Sequence, residues 1–287
     1  MNTKVVIYFM EGMVAAFRNA ILAETHSHHA LQITLDFDGE FQLFHQDECA
    51  SYKCAMIPPN LSHRLDASGH WQLTVLLDPE LTITQKLIHH FAIGDKPKPL
   101  PQSFIDSIIN EIGESPDQLA NLDEFKVKFL AALWQLVNDS PIDAYDVRIA
   151  NLIEQIHETE NLSDVEHLIT QVPLSRSRLS HLFVEQTGIP LRSYLVWLRV
   201  RRSVQFMLEG YSITESAHMA GFSDLAHLSR SFKKIFGINV SLLFQTKDYI
   251  QLEIEKPLTL NAAKKGQGKA QNKQQQEEQK KKPEAAI

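Results

Sequence analysis

The chain has 287 residues, 28 Lys/Arg against 35 Asp/Glu for a formal net charge of −7, and two cysteines. That length can hold two domains with separate cores, and Cys49 and Cys54 alone exclude a disulfide-framed secreted scaffold. No apolar run reaches the ~18 residues of a membrane span, and residues 5–10 are broken by Glu11 with no cleavage site after them, so a signal peptide is not expected and a cytoplasmic protein is.

Residues 17–78 read as β structure. Short alternating runs at 31–37, 41–44 and 72–77 are separated by Asp-Gly and Pro-Pro-Asn turn signals. Two stretches carry histidines: His26-Ser-His28-His29 with Gln32 and Gly39 downstream, and Pro58-Pro-Asn-Leu-Ser-His63. They resemble the two motifs of the cupin barrel, whose His-x-His, Glu and later His can bind a divalent metal. Gln32 stands at the Glu position and Asn60 at a Gly position. A neutral carboxamide gives a cation less charge than a carboxylate, although three histidines can hold zinc or iron. The reading adopted is that His26, His28, Gln32 and His63 line an effector pocket at a barrel mouth, with no metal or other cofactor.

Two amphipathic helices follow. Phe104, Ile105, Ile108, Ile109 and Ile112 form one stripe; Phe125, Phe129, Leu130, Leu133, Trp134 and Val137 form the other. They serve either as intramolecular core or, in part, as a two-fold dimer interface. The polar stretch at 139–143, broken by Pro141, reads as a linker.

The C-terminal third shows one pattern twice. A helix at 163–172 is followed by Pro173 and Leu174, then by a helix capped by Ser175 and stopped by Gly188. Leu179, Leu182, Phe183 and Gln186 form its inner face. Ser177, His181 and Val184 point outward, with Arg176, Arg178 and Ser180 on the flanks. A long helix over 191–208 opens at Pro190 and stops at Glu209-Gly210, with Leu191, Leu195, Leu198, Val204 and Phe206 in its apolar set. Arg201 and Arg202 read as its solvated face. The second copy spans 213–236. A short helix ends near Gly221, Ser223 or Asp224 caps the next, and Leu228, Phe232, Ile235 and Phe236 make a buried stripe. Leu225, Ala226, His227, Arg230, Lys233 and Lys234 lie outside it. A helix anchored by aromatics and presenting bases suits a DNA major groove, and the stiff helix between the copies would hold two of them about one DNA turn, roughly 34 Å, apart. Charge agrees: residues 1–145 carry 9 Lys/Arg and 19 Asp/Glu, whereas residues 173–247 carry 10 and 4. The Gln/Lys-rich tail from Lys264 has too few apolar residues to fold.

Residues 146–245 resemble the DNA-binding domain of the AraC/XylS family of bacterial transcription regulators. The resemblance rests on Ser175-Arg-Ser-Arg-Leu-Ser-His-Leu-Phe183, Thr187-Gly188, Tyr194 with Arg199, Gly221-Phe-Ser-Asp224 and Ser229-Arg-Ser-Phe-Lys-Lys234. Departures are Ile169 in place of a small residue, Pro173 in place of Gly, Ser216 at an aliphatic position, and Leu225-Ala226 in place of a polar pair. Leu225 and Ala226 cannot hydrogen-bond a base but can pack on a thymine methyl.

The expected fold is α+β: a cupin-like β-barrel sensor over 1–95, a helical dimerisation region over 96–139, an all-α domain with two helix-turn-helix motifs over 144–247, and an unfolded tail over 256–287. The expected function is a homodimeric regulator binding promoter DNA and a small-molecule effector, with RNA polymerase as a partner if it activates, and no membrane partner. Arg176 and Arg178, with Lys233 and Lys234, are assigned to phosphates; Ser177, Ser180, His181 and Arg230 to base edges. Arg230 has a rival role in an ion pair with Glu215 or Asp224. The alternative is a cupin-type metalloenzyme using His26, His28 and His63; the adopted reading assigns no catalytic residues.

Overall fold

Side-chain alternation organises the N-terminal half of this computed structural model, which describes residues 5–10, 12–18, 23–66, 69–113, 122–137, 145–159, 162, 165–242 and 250–252. The 139–143 linker and the 256–287 tail lie outside them. Strands β1 (Val5–Met10), β2 (Met13–Arg18), β3 (Leu31–Asp36), β4 (Phe41–His45), β5 (Glu48–Tyr52), β6 (Cys54–Ile57), β7 (Arg64–Asp66), β8 (Gln72–Leu77), β9 (Lys98–Pro99) and β10 (Ile250–Leu252) form two sheets. The larger has the order β10-β1-β2-β8-β3-β6-β9, antiparallel except where β1 meets β10; the smaller is β5-β4-β7. Among the described residues no ladder closes these sheets into a barrel.

Successive residues of a strand face opposite sides, and here the two sides differ in chemistry. Ala15 and Phe17, Leu31, Ile33 and Leu35, and Leu73, Val75 and Leu77 face one way into the main core. That face is covered by helices α1 (Thr82–His90), α2 (Gln102–Ile112) and α3 (Leu122–Val137) through Leu87, Ile108, Phe125, Phe129 and Leu133. The two amphipathic stripes are therefore intramolecular core along most of their length, with Val127 and Trp134 left outside at 68% and 38% exposure. The opposite face carries Arg18, Gln32, Thr34, Asp36, Gln72 and Thr74. The small sheet packs against β6 through Phe41, Leu43 and Leu65 on Ala55 and Ile57.

The strands at 31–36, 41–45 and 72–77 fall where the alternation places them. The hairpin β1–β2, turning at Gly12 with φ 72°, and helix α1 do not follow from it. Residues 5–10 are a continuous apolar run, and periodicity alone cannot distinguish a buried strand from other buried structure.

The C-terminal half is helical: α4 (Val147–Glu158), α5 (Val165–Gln171), α6 (Arg176–Thr187), α7 (Leu191–Leu208), α8 (Ile213–Met219) and α9 (Leu225–Phe236). Helix α7 is the spine. Its buried residues are Tyr194, Trp197, Leu198, Val200, Ser203, Val204 and Met207, whereas Leu191, Leu195 and Phe206 are only half-buried. The apolar set expected for this helix is thus rotated toward Tyr194 and Trp197, because α7 meets both the other C-terminal helices and the N-terminal half. Among the described residues no helix is long and apolar enough to cross a membrane.

Candidate functional site

Each of two short helices is followed by a turn and a capped helix. Helix α6 begins with the Ser175 side chain accepting from Arg178 N and ends at Gly188 in the left-handed region, φ 77°. Helix α9 begins with Asp224 accepting from His227 N and ends at Gly237, φ 68°. A capping box joins Ser212 and Glu215 at the start of α8. These caps satisfy backbone groups that a helix end otherwise leaves unpaired. Leu179, Leu182 and Phe183 bury one side of α6; Leu228, Phe232 and Ile235 bury one side of α9. Ala217 is fully buried, as a close crossing of α8 and α9 requires.

On the solvent side of α6 stand Arg176, Ser177, Arg178, Ser180 and His181, all exposed. Arg176 pairs with Glu166 of α5. On α9, Leu225, Ala226, Arg230 and Lys234 are exposed, while His227 and Lys233 are half-buried. His227 stands edge-on to the Phe222 ring with centroids 5.0 Å apart. Among the described residues Arg230 makes no ion pair with Glu215 or Asp224, whose carboxylates accept cap hydrogen bonds, although its charge still acts on Asp224. Lys233 Nζ instead lies 2.8 Å from Glu24 Oε1, in the N-terminal half.

Arg201 and Arg202 are structural ties, which corrects their reading as the solvated face of α7, and Arg199 is a third. Arg201 pairs with Asp78 and donates to Met10 O at 2.8 Å. Arg202 donates to Thr159 O at 2.6 Å, and Arg199 to Leu162 O at 3.4 Å. Asp78 also accepts from Trp197 Nε1 at 3.1 Å. Glu80 accepts from Tyr194 Oη at 2.9 Å, and that hydroxyl lies 2.8 Å from His157 Nε2. Burial raises the Asp78 carboxyl and Arg201 offsets part of the rise. For Glu80, burial is outweighed by the imidazoles of His157 and His29, 3.7 and 3.6 Å from its carboxylate oxygens, which hold its carboxyl low. Residues over a hundred positions apart in sequence thus share one buried polar network.

The four predicted pocket residues are brought together, His63 Nε2 lying 3.2 Å from Gln32 Oε1, but of the four only His26, His28 and Gln32 line the cavity. A cavity of about 90 Å³ on the polar face of the large sheet is lined by Arg18, His26, His28, Gln32 and Thr74, and closed on one side by Phe232 and Phe236 of α9. Sequence reasoning missed Arg18, whose Nε has no partner among the described residues and whose guanidinium is pushed down to about 10 by burial. His26 and His63 form an isolated β-bridge. Burial, aided by the nearby His28, pushes His26 down to about 4 and His63 down to about 2. Burial likewise lowers His28, against its hydrogen bonds to Gln32 and Ala30.

Unfolded histidine titrates near pH 6.5. Between that value and these lowered ones the unfolded chain binds more protons, so stability is expected to fall as pH drops from about 6.5 toward 4. Denaturant midpoints measured across that range should show the slope, and His63→Gln should flatten it.

Segment 23–27 connects this cavity to α9. Glu24 N donates to Gly237 O at 2.9 Å, and Ser27 N to Lys234 O at 3.4 Å.

Residues 168–245 match a family model described as a helix-turn-helix domain. The Msm operon regulatory protein of Streptococcus mutans is 36% identical over 75 residues, 25% of this chain and 27% of its own length. The arabinose operon regulatory protein of Salmonella typhimurium is 33% identical over 112 residues, 37% of this chain and 39% of its own length. That of Escherichia coli is 33% identical over 113 residues, 37% and 38% of the two. The chain thus spans less than two-fifths of the length of these curated relatives. Among solved structures, a single-residue variant of apo ToxT from Vibrio cholerae aligns over 85% of this chain and 96% of its own, with a TM-score of 0.50 at 13% identity. That likeness is one of fold: mixed α/β, with sheets first and helices after.

Proposed function

We propose, from the premise that this chain belongs through residues 168–245 to the AraC/XylS family, that it is a dimeric, sequence-specific DNA-binding transcription regulator with an N-terminal small-molecule sensor. The observation that carries this reading is the pair of capped helices, α6 and α9, each buried on one side and polar on the other, flanking the spine α7. We read α5–α6 and α8–α9 as the two helix-turn-helix motifs of a domain over 144–247, with residues 1–95 as a cupin-like sensor and 96–139 as the region that pairs two copies. RNA polymerase is a partner in the case of an activator. We assign no catalysis; the curated relatives are operon regulators.

Ser177, Ser180, His181 and Arg230 are the candidates for base edges; Arg176, Arg178 and Lys234 suit phosphates, which position the protein without selecting sequence. Lys233 reaches DNA only after releasing Glu24, so the contact that ties α9 to the sensor competes with one that ties it to the backbone. The effector enters the cavity beside Arg18, where apolar walls and a few converging polar groups are the usual composition of a ligand site.

Selection of bound sites from random DNA, at a stated salt near physiological, tests the reading. The expected motif has two contact blocks about one helical turn apart. Arg230→Ala should weaken binding to that site by about 1–3 kcal/mol, roughly 5- to 150-fold, and relax selectivity in one block. Full-strength, equally selective binding by a variant of unchanged thermal stability removes Arg230 from base reading. A protein that enriches no sequence, with or without ligands, is not this regulator.

A further inference from the structure

The cavity on the polar face of the large sheet holds one fixed charge with nothing to balance it. Val14, Ala16 and Arg18 alternate along β2 onto the same side. They stand opposite Leu76, Thr74 and Gln72 of β8 in the ladder. The row therefore runs from an apolar end at Val14 and Leu76 to a cationic end at Arg18. Among the described residues no Asp or Glu lines the cavity, and Arg18 Nε is buried without an acceptor. Asp36, the acid on this face of β3, is already engaged by Asp38 N, Gly39 N and Gln72 Nε2. Gln72 Oε1 is unpaired like Arg18 Nε, but a neutral amide oxygen does not offset a full charge.

The histidines are internally satisfied and add no charge of either sign. His26 Nδ1 lies 2.8 Å from Glu24 O, His28 Nδ1 3.0 Å from Ala30 O, and His63 Nδ1 2.9 Å from Leu61 O. A carbonyl only accepts, so the proton of each neutral ring sits on Nδ1. The Gln32 amide lies 2.8 Å from His28 Nε2 and 3.2 Å from His63 Nε2. With its NH2 turned toward the rings it donates to both, an orientation fixed by the hydrogen-bond network. Arg18 is left as the one cation of the cavity.

We propose that this cavity binds a short-chain monocarboxylate, with the carboxylate on Arg18 and the alkyl chain running over Ala16 toward Val14 and Leu76. A buried charge requires a partner, and the planar guanidinium matches a carboxylate through two parallel N–H bonds. One cation calls for one negative charge. Away from Arg18 the walls are apolar, with Phe232 and Phe236 of α9 closing one side, so the anion carries a hydrocarbon body. An inorganic phosphate or sulfate would find too few donors there. The volume of about 90 Å³ is below the roughly 150 Å³ apolar cavity that accepts benzene, which sets the chain at about four or five carbons. This names the ligand class of the sensor cavity and so rests on the sensor reading above; the anion site rests on the geometry.

The test is calorimetric titration of the full-length protein, in a buffer free of carboxylates, with butyrate, butyramide and butylammonium. One butyrate per chain, bound at least about tenfold more tightly than either of the others, is the expected result, since a hydrogen bond to a charged group contributes that much or more. At about ten times its Kd, butyrate should raise Tm by about 3–6 °C. Arg18→Met removes the charge and keeps the length of the side chain. Its ligand-free form should melt above the parent, because an unbalanced buried charge is gone, and butyrate should no longer shift its Tm. Equal affinity for butyrate and butyramide overturns the proposal, as does undiminished butyrate binding by Arg18→Met. Ligand-free Arg18→Met melting below the parent would give the guanidinium a structural partner and overturn it too. Oleate bound where butyrate is not overturns it in favour of a long-chain acid. Butyrate held by a protein that enriches no DNA sequence overturns the regulator reading and leaves the carboxylate site standing; selective DNA binding by a protein that takes no carboxylate does the reverse.

Discussion

Replacing Asp78 with alanine is expected to lower the unfolding free energy by about 3–5 kcal/mol, the usual cost of leaving one member of a buried ion pair without its partner. For a unit of this size that is a fall in Tm of about 6–20 °C. Arg201 is 14% exposed and Asp78 2%, so water cannot replace the lost partner, and Trp197 Nε1 loses its acceptor at the same stroke. Arg201→Met should cost a similar amount at pH 8 but less at pH 5. Without the guanidinium the Asp78 carboxyl rises further, the folded state then binds the extra proton, and stability falls as pH rises. The double variant Asp78→Ala/Arg201→Met should be destabilised by clearly less than the sum of the two, because neither charge is left stranded. Strict additivity would mean that the two side chains do not act as a pair.

Gly237→Ala is expected to be the more damaging of two changes that look alike. Gly188 and Gly237 end α6 and α9 with nearly the same backbone, φ 77°, ψ −4° and φ 68°, ψ 7°. An alanine at either position carries the left-handed penalty of about 1–2 kcal/mol. At Gly188 the nearest atom to an added Cβ is Asn60 Nδ2 at 3.9 Å, an ordinary contact. At Gly237 the Cβ meets Glu24 O at 2.5 Å and His26 Nδ1 at 2.8 Å. Segment 23–27 must then move, losing the Glu24–Gly237 hydrogen bond, worth about 1 kcal/mol. Gly237→Ala should therefore cost about 1–3 kcal/mol more than Gly188→Ala in denaturant unfolding, the range for imposed local strain. Equal costs would show that the segment does not press on the end of α9.

What was legible in the sequence was what is local. Ser175 and Gly188 lie within a few residues of the backbone groups they serve, and the ends of α6 stand where those caps put them; for α9 the choice between Ser223 and Asp224 was open and Gly237 was not read as a stop. Alternation gave the strands at 31–36, 41–45 and 72–77. It did not give β1, whose residues are apolar on both faces, or α1, short and only partly apolar. The face of α7 was misread for a related reason. A helix buried on several sides has no single stripe, and a ring such as Trp197 whose polar atom finds Asp78 is not recognisable as core from spacing. The ion pair of Asp78 with Arg201 joins positions 123 apart in the chain, and no pattern of neighbours announces it. In the cavity, residue types were readable and orientation was not. His26, His28, Gln32 and His63 could be named as a group, but which ring nitrogen faces which oxygen depends on carbonyls that only the fold supplies. Arg18 was missed because a single arginine ending an apolar run looks like a strand terminus.

The shared network on α7 bears on how such a protein can be rebuilt. A fragment starting near residue 145 would not be a ready-made module. It would bare Tyr194 and Trp197 on one flank of its central helix and strand Arg201 without a counter-charge, a surface prone to self-association. Exchange of the sensor by gene fusion meets the same demand from the other side: an incoming domain must bring its own carboxylates to the places of Asp78 and Glu80 and a carbonyl to that of Met10. The two halves of this chain therefore have to be exchanged together, as a matched pair.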